Sequence, residues 1–336
     1  MNNSTTHSPV TVPIALVHGM LTGVRSHGDN GEVYLVDAGI DPSLLENTTA
    51  RVTAAQYIAL YRSLMERLDD ESLGFFSRRL KRGSFSLMAR AALGSPDLET
   101  AIRRIARTFR LVQDDVVLEL VRSDNLAGLA LRFSSISMVR PAFLDEMLLR
   151  VFWRLLAWLA GGQLPVEGFD FAFACPPHVD SYDKIFPAPS RFGQPQSAFW
   201  FDVAKLTCPV RRDAAALRAF LQDAQTNIIV PSRTDELTST QVREYLQHSL
   251  PNWPDLSATA KILHISTSTL QRRLAAEGAS FQSIKDELRR DMAIVLLNTS
   301  TVTLASLAQE LGFTDCAAFQ RAFKCWTGSP PGSYRK

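Results

Sequence analysis

Leu270-Gln271-Arg272-Arg273-Leu274 returns 49 residues later as Phe319-Gln320-Arg321-Ala322-Phe323. The lead-ins match as well. Ala260-Lys261-Ile262-Leu263-His264-Ile265-Ser266 precedes the first copy, and Ala308-Gln309-Glu310-Leu311-Gly312-Phe313-Thr314 precedes the second. A repeat of this kind marks one supersecondary unit used twice. In each copy a short helix, a tight turn and a second helix follow one another, which is the pattern of a helix-turn-helix.

The residue types suit that geometry. Ala260 and Ala308 are small enough for two helices to cross closely, and Leu263 and Leu311 close the first helix onto a core. The turn needs a residue that tolerates positive φ. Gly312 does so without steric cost, and His264 belongs to the few other types enriched there. Ser266, and Thr314 or Asp315, are good N-caps for the second helix. Leu270 with Leu274, and Phe319 with Phe323 and Trp326, form apolar stripes that must face a core.

The opposite faces carry Ser268, Gln271 and Arg272 in the first copy. In the second they carry Ala317, Gln320, Arg321 and Lys324. Arg can donate two bonds to guanine and Gln can bond adenine both ways in the major groove. The same cations can instead hold phosphate, which positions a protein without reading sequence. Between the copies, Gly278 is a C-cap and Ser280 an N-cap. Ile284, Leu288, Met292, Val295 and Leu296 continue a helical stripe to Asn298. About 17 residues give a rod of roughly 25 Å, suited to holding two reading helices near the ~34 Å repeat of B-DNA. The competing reading is a plain helical bundle with exposed charges.

Residues Leu256–Tyr334 resemble the DNA-binding domain of the AraC/XylS transcription regulators. Leu307-Ala308-Gln309-Glu310-Leu311-Gly312-Phe313 carries the likeness, with the Phe-rich helix after it, Trp326-Thr327-Gly328-Ser329-Pro330 and Tyr334-Arg335. The resemblance implies base-reading positions at Ser268, Gln271, Arg272, Ala317 and Arg321. It has two departures: His264 stands at the usual turn glycine, and Ala317 is too short to hydrogen-bond a base. An Ala methyl can still touch a thymine methyl, and Arg321 is then the main reader of the second unit.

The 336 residues suit two domains. Residues 1–225 are expected to form an effector-binding and dimerisation domain, 226–236 a linker and 237–336 the DNA-binding domain. Net charge is +2, and 12 basic and 10 acidic residues follow from Arg233 onward. That is a weak footprint for a DNA binder, so a local basic face and two protomers are expected to do the work.

The first part reads as α+β with a small antiparallel sheet, ahead of the all-α domain with its two units joined by a linker helix. Helical periodicity covers roughly 13–25, 53–68, 84–93, 97–112, 141–160 and 212–224. Strand-like runs fall at 116–122, 126–133, 169–174 and 198–203, the first two flanking a Ser-Asp-Asn turn. Three cues resemble the arabinose-binding-like effector domain of the AraC-family subgroup that includes ornithine-utilisation-type regulators. They are Asp37-Ala38-Gly39-Ile40-Asp41, Leu80-Lys81-Arg82-Gly83-Ser84-Phe85, and Arg191-Phe192-Gly193 before Ala198-Phe199-Trp200-Phe201. The likeness spans Pro13–Leu221 and implies a ligand-sensing and dimerising domain, without naming the ligand.

Enzymatic signals are missing. The six His are scattered, and there is no Gly-x-Ser-x-Gly elbow, phosphate loop or zinc triad, so no catalytic or metal residue and no cofactor is expected. Asp114-Asp115 reads as a solvated turn, and Cys175-Pro176-Pro177-His178 as a loop because no second ligand pair accompanies it. Four cysteines in separate places fit free thiols and a reducing cytoplasm. Phe143–Ala160 is apolar but interrupted by Asp145, Glu146, Arg150 and Arg154. It reads as a core or interface helix rather than a membrane span. Candidate ligand contacts are Arg82, Arg140 and Arg191 for an anion, with Trp153 as an aromatic wall; each is also explained by surface or core structure. The expected partners are promoter DNA, a small-molecule effector, a second copy of the chain and RNA polymerase, with no membrane. The function expected is an effector-controlled regulator, chiefly an activator. The alternatives are an enzyme fused to a DNA-binding head, or a constitutive DNA-binding dimer.

Overall fold

A computed structural model describes residues 10–134, 140–162, 164–177, 179, 182–222 and 238–335. The expected linker, 226–236, and His178 lie outside these residues. The chain divides into two compact units. The larger holds Ala15–Gly39 and Tyr57–Ser232, and the smaller holds Met1–Ile14, Ile40–Gln56 and Arg233–Lys336.

In chain order, β1 (Thr11–Pro13) runs into α1 (Ile14–Arg25), which is followed by α2 (Glu32–Asp37). Next, β2 (Arg51–Thr53) runs into α3 (Ala54–Leu68), followed by α4 (Ser84–Ala92) and α5 (Leu98–Val112). The strands β3 (Val116–Ser123) and β4 (Leu126–Phe133) precede α6 (Ala142–Leu159). Then come β5 (Gly168–Asp170), α7 (Tyr182–Ile185), β6 (Ser190–Arg191), β7 (Ser197–Asp202) and α8 (Ala214–Gln222).

Five strands of the larger unit form one sheet in the order β3-β4-β7-β5-β6. Every pairing is antiparallel except β5 with β6. The hairpin turns at Asp124, whose φ of 48° suits an Asp at a tight reversal. β4 lies inside the sheet and buries Ala127 to Leu131 in an unbroken run. Alternation therefore fails there, because both faces are covered. Phe169, Phe171, Phe186 and Phe199 pack together at ring separations of 4.8 to 6.4 Å.

α5 shows how sequence sets a helix here. Asp97 caps it by accepting from the Thr100 N–H at 2.8 Å. Leu98, Ala101, Ile102, Ile105 and Phe109 are buried at three- and four-residue spacing, leaving Arg103, Arg104, Arg107 and Arg110 exposed. Asp115, read from sequence as solvated, is instead buried. Its carboxylate accepts from the Ser77 N–H at 2.6 Å and hydroxyl at 2.8 Å. Only Asp114 stands in solvent, beside Arg78.

The smaller unit contains α9 (Thr238–His248), α10 (Leu256–Ile262), α11 (Thr267–Ala276), α12 (Phe281–Thr299), α13 (Leu304–Glu310) and α14 (Cys316–Thr327). It also contains β1 and β2, which pair antiparallel with Val12 opposite Val52. Residues 10–14 and 40–56, within the span expected from sequence for the amino-terminal domain, are tied to α12 and to residues 327–334 by several bonds. Thr11 donates its hydroxyl to Asp291 at 2.6 Å, and Gln56 donates to Asn298 at 3.0 Å. Asn47 donates to the Thr327 carbonyl and the Ser329 hydroxyl, and the Arg51 N–H reaches the Tyr334 hydroxyl.

Asp291 is the centre of this junction. Arg290 and Arg243 approach it at 3.1 and 3.6 Å. Burial opposes its charge, but Arg290, Arg51 and Arg243 with the Thr11 hydroxyl hold its carboxyl below the ordinary Asp value. Burial in turn lowers Arg51 to about 10, still above neutrality.

Candidate DNA-reading helices and ligand cavity

The two turns are built alike. Ile265 N–H bonds the Ala260 carbonyl at 3.0 Å, and Phe313 N–H bonds the Ala308 carbonyl at 2.9 Å. His264 and Gly312 take the left-handed conformation at φ 55° and 73°. Only glycine fits the second, because a Cβ on Gly312 would stand 2.6 Å from the Trp253 ring. In the first turn His264 is exposed. Ala260 and Ala308 are buried at their helix crossings. Ser266 caps α11 and Asp315 caps α14.

Leu270, Leu274, Phe319 and Phe323 are fully buried. The side opposite each pair is open. Ser268, Gln271 and Arg272 are exposed on α11, and Ala317, Gln320, Arg321 and Lys324 on α14. The Ser268 hydroxyl bonds that of Ser266, and Gln320 donates to the Cys316 Sγ. Among the described residues Arg272, Arg321 and Lys324 form no ion pair, so their charges face solvent.

Within the smaller unit α12 joins the two helix-turn-helix pairs. Ser280 and Ser283 form a reciprocal capping box at its start. Arg289 donates to the Leu311 carbonyl at 2.9 Å and the Gly312 carbonyl at 3.3 Å, capping the end of α13. Its guanidinium also lies over Trp253, whose indole N–H bonds the Glu310 carbonyl. On the other side, the Glu277 carboxylate accepts the Thr238 and Ser239 N–H groups and caps α9. Arg243 of α9 pairs with Glu287 of α12 at 2.5 Å.

The larger unit contains a cavity of about 620 Å³, within the usual range for a small-ligand site. α1 contributes Leu16 and Met20, and α3 contributes Tyr57, Tyr61 and Met65. α6 contributes Glu146, Arg150 and Phe152. Of the four ligand candidates read from sequence, Arg82 alone lines it, at an exposed position. Arg140 is tied to Asp145 at 2.6 Å and lies over Phe133. Trp153 bonds the Leu164 carbonyl and meets Phe169 edge-on, and Arg191 pairs with Asp170.

Sequence reasoning missed Tyr57, Tyr61, Glu146 and Arg150. Glu146 and Arg150 are one helical turn apart and buried in a helix whose other charged residues are Asp145 and Arg154. That was the available signal: charges on a helix's core face rarely sit there without a partner. Burial lowers Arg150 to about 10, so it remains a cation at neutral pH. Burial also raises both tyrosines, which stay protonated. Glu146 accepts the Tyr182 hydroxyl. Glu71 accepts the Gly83 and Phe85 N–H groups at 2.6 and 2.7 Å and so caps α4.

The geometry defines a DNA-binding regulator with a ligand-sized cavity in its other unit. Residues 31–210 match the arabinose-binding domain of AraC transcription regulators, and 259–336 match a helix-turn-helix domain. The chain belongs to the AraC family of transcription regulators. It is similar to the ornithine utilization regulator of Pseudomonas aeruginosa, with 27% identity over 97% of this chain and 96% of that one. The regulator VqsM of the same organism is 30% identical over 54% of this chain and 57% of its own. The crystal structure of the regulator CdpR from P. aeruginosa aligns over 91% of this chain and 96% of its own, at 20% identity and a TM-score of 0.35. Among the described residues no helix is long and apolar enough to cross a membrane, and no cluster of His, Cys, Asp and Glu could hold a metal ion.

Proposed function

We propose that this protein is an effector-controlled transcriptional activator, working in the cytoplasm as a homodimer on paired promoter sites, without a catalytic step of its own. The observation that carries this reading is the duplicated turn with two exposed polar faces on α11 and α14. Arg272 and Arg321 would bond guanine or phosphate, and Gln271 and Gln320 adenine. Ser268 would accept or donate at a base edge, Ala317 would meet a thymine methyl, and Lys324 would hold the backbone. The 19-residue α12, about 28 Å long, would space the two helices for successive major-groove faces.

The effector would occupy the cavity of the larger unit. β1 runs straight into α1 and β2 into α3, and both helices line the cavity. A ligand that favours one setting of these helices would thereby bias the strands bonded to α12. Control requires unequal binding to the two settings. Contact with RNA polymerase would turn promoter occupancy into activation.

The test is recovery of genomic fragments by the purified full chain, with and without a cell metabolite extract. The expected result is enrichment of a few promoters sharing a spaced motif, altered by the extract. No enrichment in either condition would overturn the reading and favour an enzyme carried on a helical scaffold. Enrichment indifferent to every extract would leave a constitutive DNA-binding dimer.

A further inference from the structure

We propose that the arginine face of α5 is a second DNA-contacting surface, which takes duplex phosphates without reading sequence and adds affinity to that of α11 and α14. This rests on the DNA-binding reading above and adds a surface in the larger unit.

Exposure and spacing define the face. From Arg103 onward the exposed residues of α5 are Arg103, Arg104, Arg107, Arg110 and Leu111. At about 100° per residue they fall within roughly 120° of arc. Arg103, Arg107 and Arg110 run along it over roughly 10 Å, a length in which duplex DNA presents about six phosphate charges. A cation in the last turn of a helix complements its dipole, which accounts for Arg110 but not for the other three. Arg107 and Arg110 have no ion pair or side-chain hydrogen bond among the described residues. Neighbouring segments extend the charge: the stretch from Arg78 to Arg110 holds nine basic and two acidic residues. Both acids are engaged, Asp97 in capping α5 and Glu99 in pairing with Arg103 and with Arg122 of β3, each at 2.8 Å. Asp114, just beyond, stands 3.4 Å from Arg78. Arg104 donates to the Leu93 carbonyl at the end of α4, and Gln113 donates to the Arg78 carbonyl, so both segments are held against α5.

Charge and the lack of an aromatic anchor select a nucleic-acid backbone over an acidic protein. Neutralised phosphates supply most of a protein's non-specific affinity for DNA. The DNA-reading end of the chain is poor in that charge, with 12 basic and 10 acidic residues from Arg233 onward. The four free-facing arginines of α5 offer it, in a side chain whose planar fork matches a phosphate. A protein interface, by contrast, is centred on aromatic anchors that fill pockets. Among the described residues the exposed large apolar side chains are Val33, Val36, Leu87, Leu111 and Ile262, none of them aromatic. Leu111 gives the face an apolar edge without such an anchor. The larger unit is also tethered to the DNA-binding one, so bound DNA raises the local concentration of phosphate around it.

The test uses the full chain and a duplex of arbitrary sequence about four helical turns long, with Kd measured by fluorescence anisotropy across a salt series. Replacing Arg107 and Arg110 together by Ala should lower the slope of log K against log salt by about two, since each phosphate contact contributes about 0.9. The Tm should stay near that of the wild type, because neither side chain has a partner to lose. Replacing both by Lys keeps the charge and should keep the slope. Replacing Arg25 and Arg191 by Ala removes the same charge elsewhere in the larger unit and should also keep it. Poly-L-glutamate is titrated in parallel as an acidic polypeptide. A wild-type slope in the Arg107 and Arg110 Ala variant would overturn the proposal. An equal fall in the Arg25 and Arg191 variant would also overturn it, by assigning the effect to net charge. Loss of poly-L-glutamate binding with duplex binding unchanged would give the face to an acidic protein instead. If the wild type binds no duplex, the DNA-binding reading falls as well; if it binds and the Ala variant matches it, only the second surface falls.

Discussion

Replacing Asp291 by Ala tests whether residues 10–14 and 40–56 are a working part of the DNA-binding unit. The substitution removes the acceptor of the Thr11 hydroxyl at 2.6 Å and the anion facing Arg290 at 3.1 Å and Arg243 at 3.6 Å. Arg243 and Asp291 are each no more than 5% exposed at the side chain, so water cannot replace the lost charge. Arg243 Nη1 already has no hydrogen-bond partner. Removing one member of a buried ion network costs about 3–5 kcal/mol. For a unit of this size that lowers the Tm by on the order of 10–20 °C. Unfolding in urea would measure the loss, and amide exchange along α12 would place it in the smaller unit. The pH dependence gives a second readout. Asp291 binds its proton less tightly in the folded chain than in the unfolded one, where the ordinary value is 3.8. Its ionisation therefore stabilises the fold at neutral pH. The contribution is complete above the unfolded value and disappears as pH falls through the lower folded value. The wild type should thus lose its advantage over Asp291→Ala on acidification below about pH 4. A loss under about 1 kcal/mol at pH 7, or an advantage that grows on acidification, would refute the reasoning.

Two further substitutions test the face assignments. Arg272→Ala should cost about 1–3 kcal/mol at a specific site and relax preference at one base pair, measured by titrating operator variants; equal loss on every sequence would assign Arg272 to phosphate. Phe323→Asp should unfold the smaller unit. It places a charge at a fully buried position between Phe319, at 5.7 Å, and Tyr334, at 5.2 Å. Wild-type thermal stability in that variant would overturn the assignment of the stripe to the core.

The local signals in this chain were strong where neighbours in sequence are also neighbours in space. Gly312, His264, Ser266, Gly278 and Ser280 declare their turns and caps because each acts on backbone within four residues. The apolar stripes of α5, α11 and α14 likewise named their buried faces. Exposed residues such as Arg272 and Arg321 could be read from those faces directly. Arg140, Trp153 and Arg191 could not. Each has a polar or aromatic side chain suited to a ligand, and each is occupied by a neighbour that sequence spacing does not reveal.

Periodicity and capping by themselves determined most of the helices, four of the seven described strands, the duplicated turn and the faces that α11 and α14 leave exposed. Those properties follow from φ preference, capping chemistry and the 3.6- and two-residue periods, all of which act over short spans. Tertiary structure alone decided two things. It brought α1, α3 and α6 around one cavity, so that Tyr57 and Arg150, 93 positions apart, face a common space. It also placed β1 and β2 with α12, through a bond between Thr11 and Asp291 that spans 280 positions. Three-residue strands carry too little pattern to announce their partner. Their pairing is set by a buried charge network that exists only once the chain has folded.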